Sequence, residues 1–169
     1  VNQVVLDAKA MLIHTVSLDG NNLDFSYDGH QLKIELQRQY SKEESYTLYL
    51  KYTARPEKVK EKGSAAISTA KGLYFINPTG QELNKPTQIW TQGETESNSC
   101  WFPTIDSPNQ KTSQEIYITV PNKFKTLSNG KLISQEVSGN NRTDYWKFDQ
   151  KHAPYLFFMG VGEYEVIED

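Results

Sequence analysis

Apolar residues in this chain recur at every second position over short runs, and no segment of ten or more residues repeats them at the 3.6-residue spacing of an amphipathic helix. A period of two sends alternate side chains to opposite faces of an extended backbone, so the pattern commits the chain to sheets. Leu32, Ile34 and Leu36 alternate with Lys33 and Glu35. Tyr46, Leu48, Leu50 and Tyr52 keep the same period, as do Ile116, Ile118 and Val120 until Pro121-Asn122 ends the run. Met11 to Leu18 is different: its apolar residues fall on both parities, which predicts cover on both faces. Val4 to Leu6, Gly72 to Phe75, Ile89 to Thr91, Thr126-Leu127, Lys131 to Val137 and Tyr145 to Phe148 read as further short strands. Tyr155 to Val161 is the most apolar run and is expected as a buried central strand, with Gly162 to Ile167 as a last strand after it.

Turn chemistry separates these runs. Asp19-Gly20-Asn21-Asn22, Tyr27-Asp28-Gly29-His30, Asn77-Pro78-Thr79-Gly80 and Ser138-Gly139-Asn140-Asn141 carry the residues that tight turns favour. Short connections between consecutive strands favour antiparallel pairing. The fold class is therefore all-β, a curved antiparallel β-sandwich or saddle of many short strands, in one domain over residues 1–169. Ala54 to Lys71 reads as a long surface loop with room for one helical turn, and Thr95 to Pro108 as irregular, polar and proline-bearing.

Composition narrows the partners. The chain has 169 residues and a net charge of −3, which argues against nucleic acid or an anionic membrane as the main partner. The basic cluster from Lys58 to Lys62 reads as a solvated loop. No apolar run reaches the roughly 18 residues of a membrane span, and no signal peptide is visible. Cys100 is the single cysteine, so no internal disulfide forms and the compartment stays open. Asn141-Arg142-Thr143 fits the glycosylation pattern, a common chance match.

The residues offer little chemistry of their own. His14, His30 and His152 are dispersed and lack metal-ligand spacing, so neither a metal site nor a cofactor is expected here. Cys100 precedes Trp101 and Phe102 and is expected to be buried, which works against a reactive thiolate. No G-x-S-x-G elbow and no glycine-rich phosphate loop occurs, so no catalytic residue is assigned. Trp90, Trp101 and Trp146 could form a sugar-stacking platform, although core filling is the more common use of such residues.

The stretch from Thr91 to Pro108 resembles a block in the N-terminal domain of aminopeptidase N-type zinc metallopeptidases, a family that also includes leukotriene hydrolase. That block typically reads T-Q-F-E-P-T-x-A-R-x-x-F-P-C-F-D-E-P. Thr91, Gln92, Glu94, Phe102, Pro103, Asp106 and Pro108 match it in register without a gap. Gly72-Leu73-Tyr74, Ile118 to Pro121, Leu127 to Gly130, Pro154 to Leu156 and Val161 to Tyr164 resemble further segments of the family in the same order, and Leu6-Asp7-Ala8 resembles an early one. Gly93 replaces the usual aromatic, Thr104-Ile105 stands where Cys-Phe is usual, and the usual arginine is absent. These departures imply a divergent branch.

The resemblance implies a curved β domain that packs on a thermolysin-like catalytic domain, with further strands before Val4 to Leu6 and an end near Asp169. It implies that the zinc, its H-E-x-x-H ligands and the general base lie in that other domain, so the fragment alone would not catalyse. It also implies one contribution from this chain: Glu94 would bind the free α-ammonium of a peptide substrate, and Gln92 would line the pocket for its first side chain. The expected partners are the protein's own catalytic domain and a peptide N-terminus. A non-catalytic interaction module related to aminopeptidases and a carbohydrate-binding sandwich are the competing readings.

Overall fold

The computed structural model describes residues 1–60 and 69–167. It is all-β, with thirteen strands, three short 3-10 turns and no α-helix among the described residues. The strands are β1 (Gln3–Asp7), β2 (Met11–Leu18), β3 (Asn21–Asn22), β4 (Phe25–Tyr27), β5 (Gln31–Glu35), β6 (Leu48–Ala54), β7 (Leu73–Ile76), β8 (Gln88–Thr91), β9 (Thr112–Pro121), β10 (Lys125–Ser128), β11 (Lys131–Ser138), β12 (Asn141–His152) and β13 (Met159–Gly162). Every strand pairing is antiparallel. The chain divides into two compact units, one of residues 1–72 and 96–106, the other of residues 73–95 and 107–169.

The first unit holds two three-stranded sheets, β1-β5-β4 and β3-β2-β6. Leu32 and Ile34 on β5 are fully buried, with Lys33 and Glu35 outside, as the alternation dictates. They share a core with Ala8 and with Met11, Val16 and Leu18 of β2. β2 explains its own double-faced sequence. Its pairing with β6 slips between Ile13 and Thr15, a bulge at His14. An extra residue exchanges the two faces, so Met11 is buried before the bulge and Val16 and Leu18 after it. The β4–β5 turn is closed by Asp28, whose Oδ1 accepts the backbone N–H groups of His30 (2.8 Å) and Gln31 (2.7 Å). A 3-10 turn at Pro56–Lys58 supplies the helical turn expected after Ala54; residues 61–68 of that stretch lie outside the described residues.

The second unit holds the four-stranded sheet β10-β13-β8-β7 and the three-stranded sheet β11-β12-β9. Ile118, Val120, Trp146 and Val161 form its core. Three expectations are corrected here. The apolar run from Tyr155 to Val161 is not one strand: Pro154–Leu156 is a 3-10 turn, and β13 starts only at Met159. Asn129 takes the backbone groups that a strand partner would have used, donating Nδ2 to the Leu156 carbonyl (2.9 Å) and accepting the Phe158 N–H (2.7 Å). What remains as β13 is an inner strand between β10 and β8. Gly162 to Ile167 forms no further strand, because the ladders of β8 and β10 both run out at Gly162, paired with Gln88 and Lys125. Ile167 is left 86% exposed. Finally, β12 is far longer than Tyr145 to Phe148, for a reason that lies in two inward-facing charges treated below.

Two glycines are structurally required. Gly72 has φ +67°, and a Cβ there would collide with the Ser97 carbonyl and press on the Cys100 Cβ. Gly130 has φ +89°, and a Cβ would collide with the Lys147 carbonyl. No helix of the described residues is long and apolar enough to cross a membrane.

Candidate functional site

Strand β8 delivers the candidate residues. It is an inner strand, paired with β13 on one side and β7 on the other. Across the β7–β8 pair, Tyr74 stands opposite Trp90 and their rings stack at 4.5 Å. The strand ends at buried Thr91, whose Oγ1 accepts the Met159 N–H at 2.9 Å. That bond pins the last residue of the strand to β13, so the chain leaves the sheet from a fixed point.

Gln92 and Glu94 follow immediately. Gln92 is half-buried, Gly93 buried and Glu94 exposed. The Glu94 backbone N–H donates to Gln92 Oε1 at 3.1 Å. The Gln92 side chain thereby closes the turn on which Glu94 is presented, and its amide N–H2 is turned away from the oxygen that makes this bond. The Glu94–Thr95 peptide is cis. The structure thus brings the two sequence-assigned residues together through one hydrogen bond, on a turn within the second unit that exposes Glu94.

The residues after the turn, in the first unit, are polar yet buried. Ser97, Asn98, Ser99 and Cys100 are all at most 3% exposed. Asn98 Oδ1 accepts the Trp101 indole N–H at 2.7 Å, and Ser99 N–H donates to Asp106 Oδ2 at 2.9 Å. Cys100 is buried, as its apolar neighbours implied, with Sγ 3.6 Å from the Ala70 carbonyl. An antiparallel bridge joins Asp7 and Thr104, through N–H to carbonyl bonds of 2.7 and 3.0 Å.

The remaining candidates have structural partners. His14 sits exposed at the bulge, 2.8 Å from Thr53 Oγ1. His152 is buried between the rings of Phe148 and Phe157, with its ring nitrogens at Gln150 O and Gln114 Oε1. Trp146 is buried and donates its indole N–H to Thr126 Oγ1, while Trp90 and Trp101 are half-buried. Among the described residues no three His, Cys, Asp or Glu side chains converge in a way that could hold a metal ion. An apolar cavity of about 360 Å³ in the second unit is lined by Phe75, Ile89, Val120, Phe124 and Val161 among others, and includes neither Gln92 nor Glu94.

Sequence reasoning missed a buried polar cluster in the second unit. Arg142 and Asp144 on β12 point to the same face as Trp146, and their side chains are 10% and 1% exposed. Arg142 donates Nε to Asp144 Oδ1 (2.6 Å) and an Nη to Oδ2 (3.0 Å), a bidentate pair. Asp144 also accepts from Thr126 Oγ1 (2.6 Å) and Gln135 Nε2 (2.9 Å). Burial works to raise the Asp144 pKa, but the hydrogen bonds from Arg142, Thr126 and Gln135 outweigh it and hold the carboxyl below its ordinary value. The only sequence signal was the i, i+2 spacing of opposite charges beside Trp146.

The family model of the peptidase M1 N-terminal domain matches residues 1–156. The chain belongs to this family. Probable aminopeptidase 1 of Sulfurisphaera tokodaii is 28% identical to it over 159 residues, 91% of this chain and 19% of that protein. The fold is that of the M1 zinc metallopeptidase from Deinococcus radiodurans, with a TM-score of 0.81 and 17% identity over 96% of this chain and 34% of that one. Native yeast LTA4 hydrolase is similar with a TM-score of 0.72 and 18% identity over 96% of this chain and 24% of that one. The chain spans about a fifth of the length of the curated relatives it matches.

Proposed function

We propose that residues 1–169 act as one β domain of a longer zinc aminopeptidase, which removes residues from the N-terminus of peptides. The observation that carries this reading is the Gln92–Glu94 turn, which exposes Glu94 at the end of β8 in a chain of the M1 N-terminal domain family. Glu94 receives the substrate's α-ammonium group. Gln92 holds the turn with its side-chain oxygen and lines the pocket for the first side chain with its amide.

The chemistry follows from charge. A carboxylate facing a cleft forms charge-assisted hydrogen bonds with an ammonium group. Binding that end of the peptide places the first peptide bond, and no later one, at the reacting centre. A peptide lacking a free amino group leaves the carboxylate without its partner, which costs affinity. Zinc, when bound in the separate catalytic domain, supplies the activated water. The residues of this chain bind and orient, and the fragment alone hydrolyses no aminoacyl substrate.

The test is Glu94→Ala in the full-length protein. Its kcat/KM on an aminoacyl substrate is expected to fall at least about tenfold, on the order of 1.4 kcal/mol or more. An unchanged kcat/KM sinks the role of Glu94, and a full-length protein with no aminopeptidase activity sinks the enzymatic reading in favour of an interaction module.

A further inference from the structure

Three loops that lie far apart in sequence meet around one cavity of the first unit. The cavity, of about 280 Å³, is lined by Lys9 and Ala10 from the β1–β2 turn, Gly29 and His30 from the β4–β5 turn, and Lys58 and Lys60 from the 3-10 turn and the residues just after it. All of them belong to one compact unit. The wall holds three lysines and a histidine but no carboxylate. Asp28 and Glu57, the acidic neighbours in sequence, are not part of it. No described carboxylate forms an ion pair with Lys9, Lys58 or Lys60. Lys58 and Lys60 belong to a segment whose sequence reads as a solvated loop; folding brings Lys9 and His30 to it.

The backbone under these side chains is fixed. Ala8 and Ala10 donate their N–H groups to the carbonyls of His30 (2.7 Å) and Gly29 (2.8 Å), which ties the two strand turns together. Beside the 3-10 turn, Arg55 donates Nη2 to the Met11 carbonyl at 3.2 Å, and Pro56 is buried. Lys9 is held at both ends, its backbone N–H by the Ser99 carbonyl (2.8 Å) and its ammonium by the Glu96 carbonyl (2.8 Å). That bond leaves the Lys9 ammonium two further N–H donors. Gathering like charges raises the energy unless a counter-charge joins them. The chain as a whole carries a net charge of −3, so the cluster is no by-product of a basic composition.

We propose that Lys9, Lys58 and Lys60 form a binding site for a small multivalent oxyanion of the phosphate class, with His30 in the same wall. A lysine ammonium is a compact cation with three donors, and it serves phosphate as a point charge. Three of them around one space suit an anion with several charges and acceptor oxygens on all sides. The volume lies at the small end of small-molecule sites, which span roughly 300–1,000 Å³. It suits a free diphosphate-sized anion rather than a macromolecule. The site is separate from the anchoring role of Glu94 and does not depend on it.

Isothermal titration of the full-length protein with inorganic pyrophosphate tests this. The wild type is expected to bind it saturably, and less tightly as sodium chloride rises, because exposed charges are screened. Lys58 and Lys60 are exposed, so replacing both with alanine should leave the circular dichroism unchanged while weakening binding at least about tenfold. Replacing both with arginine keeps the charge and should stay within about threefold of the wild type. Pyrophosphate held by zinc in a catalytic domain would bind the wild type and the alanine variant alike. Equal titrations for those two therefore overturn the proposal, as does a wild type that binds no pyrophosphate at millimolar concentration. A loss in the arginine variant as large as in the alanine variant also overturns it, because charge would then not account for the binding.

Discussion

Replacing Asp144 with alanine strips the Arg142 guanidinium of two of its three hydrogen bonds and leaves it with the Phe124 carbonyl alone, at 2.9 Å. It also removes the acceptor of Thr126 and Gln135. Because both charged side chains are at most 10% exposed, water cannot replace what is lost. Breaking a buried pair from one side costs about 3–5 kcal/mol. With a urea m-value of about 2 kcal/mol/M, the midpoint falls by roughly 1.5–2.5 M. Equilibrium urea unfolding of the chain, followed through the fluorescence of neighbouring Trp146, reads this directly. The double substitution Arg142→Met with Asp144→Leu removes both charges and should recover most of the loss. A cost below about 1 kcal/mol for Asp144→Ala would refute the reasoning, since it would mean that the pair is hydrated.

The same pair sets an acid limit. Its folded-state carboxyl titrates below the ordinary aspartate value of 3.8, so its stabilisation is in full force above that value and fades as pH falls from it through the folded pKa. Urea midpoints measured down that range should drop more steeply in the wild type than in Asp144→Asn, and parallel curves would contradict the assignment. Gly72→Ala should destabilise by about 2 kcal/mol or more in thermal unfolding, because the new Cβ meets the Ser97 carbonyl at a positive φ; an unchanged melting temperature would show that the segment gives way. Cys100, the single cysteine, is fully buried and should react with a thiol reagent only on unfolding, so fast labelling of the native chain would mean that the Gly72–Cys100 region opens.

Much of the fold could be read from side-chain parity. Leu32 and Ile34 enter the core and Lys33 and Glu35 stay outside because nothing interrupts β5. Where parity misled, a specific interaction had replaced it. The bulge at His14 put apolar residues on both parities of one strand. Asn129 captured the backbone of the apolar run after Pro154, and its side chain stands 27 to 29 residues away in sequence from the groups it binds. Arg142 and Asp144 look like solvent-facing residues by type, yet they satisfy each other inside the sheet, and this hid the length of β12. The candidate site divides in the same way. Gln92 and Glu94 were legible only through the block from Thr91 to Pro108, because an exposed carboxylate has no composition signal of its own. The burial of Ser97, Asn98 and Ser99 was not legible, since polar residues enter a core only with partners that the linear sequence does not reveal, whereas that of Cys100 followed from its apolar neighbours.

The central claim is that Glu94 reads the ammonium group of a peptide. The direct measurement compares kcat/KM for a free-amine substrate and for its des-amino analogue, in the full-length wild type and in Glu94→Gln. If the carboxylate pairs with the ammonium, the substitution lowers kcat/KM for the free-amine substrate and leaves the analogue nearly unchanged, so the ratio between them falls at least about tenfold. A loss of equal size on both substrates contradicts the claim, because a residue that does not sense the ammonium cannot be its anchor.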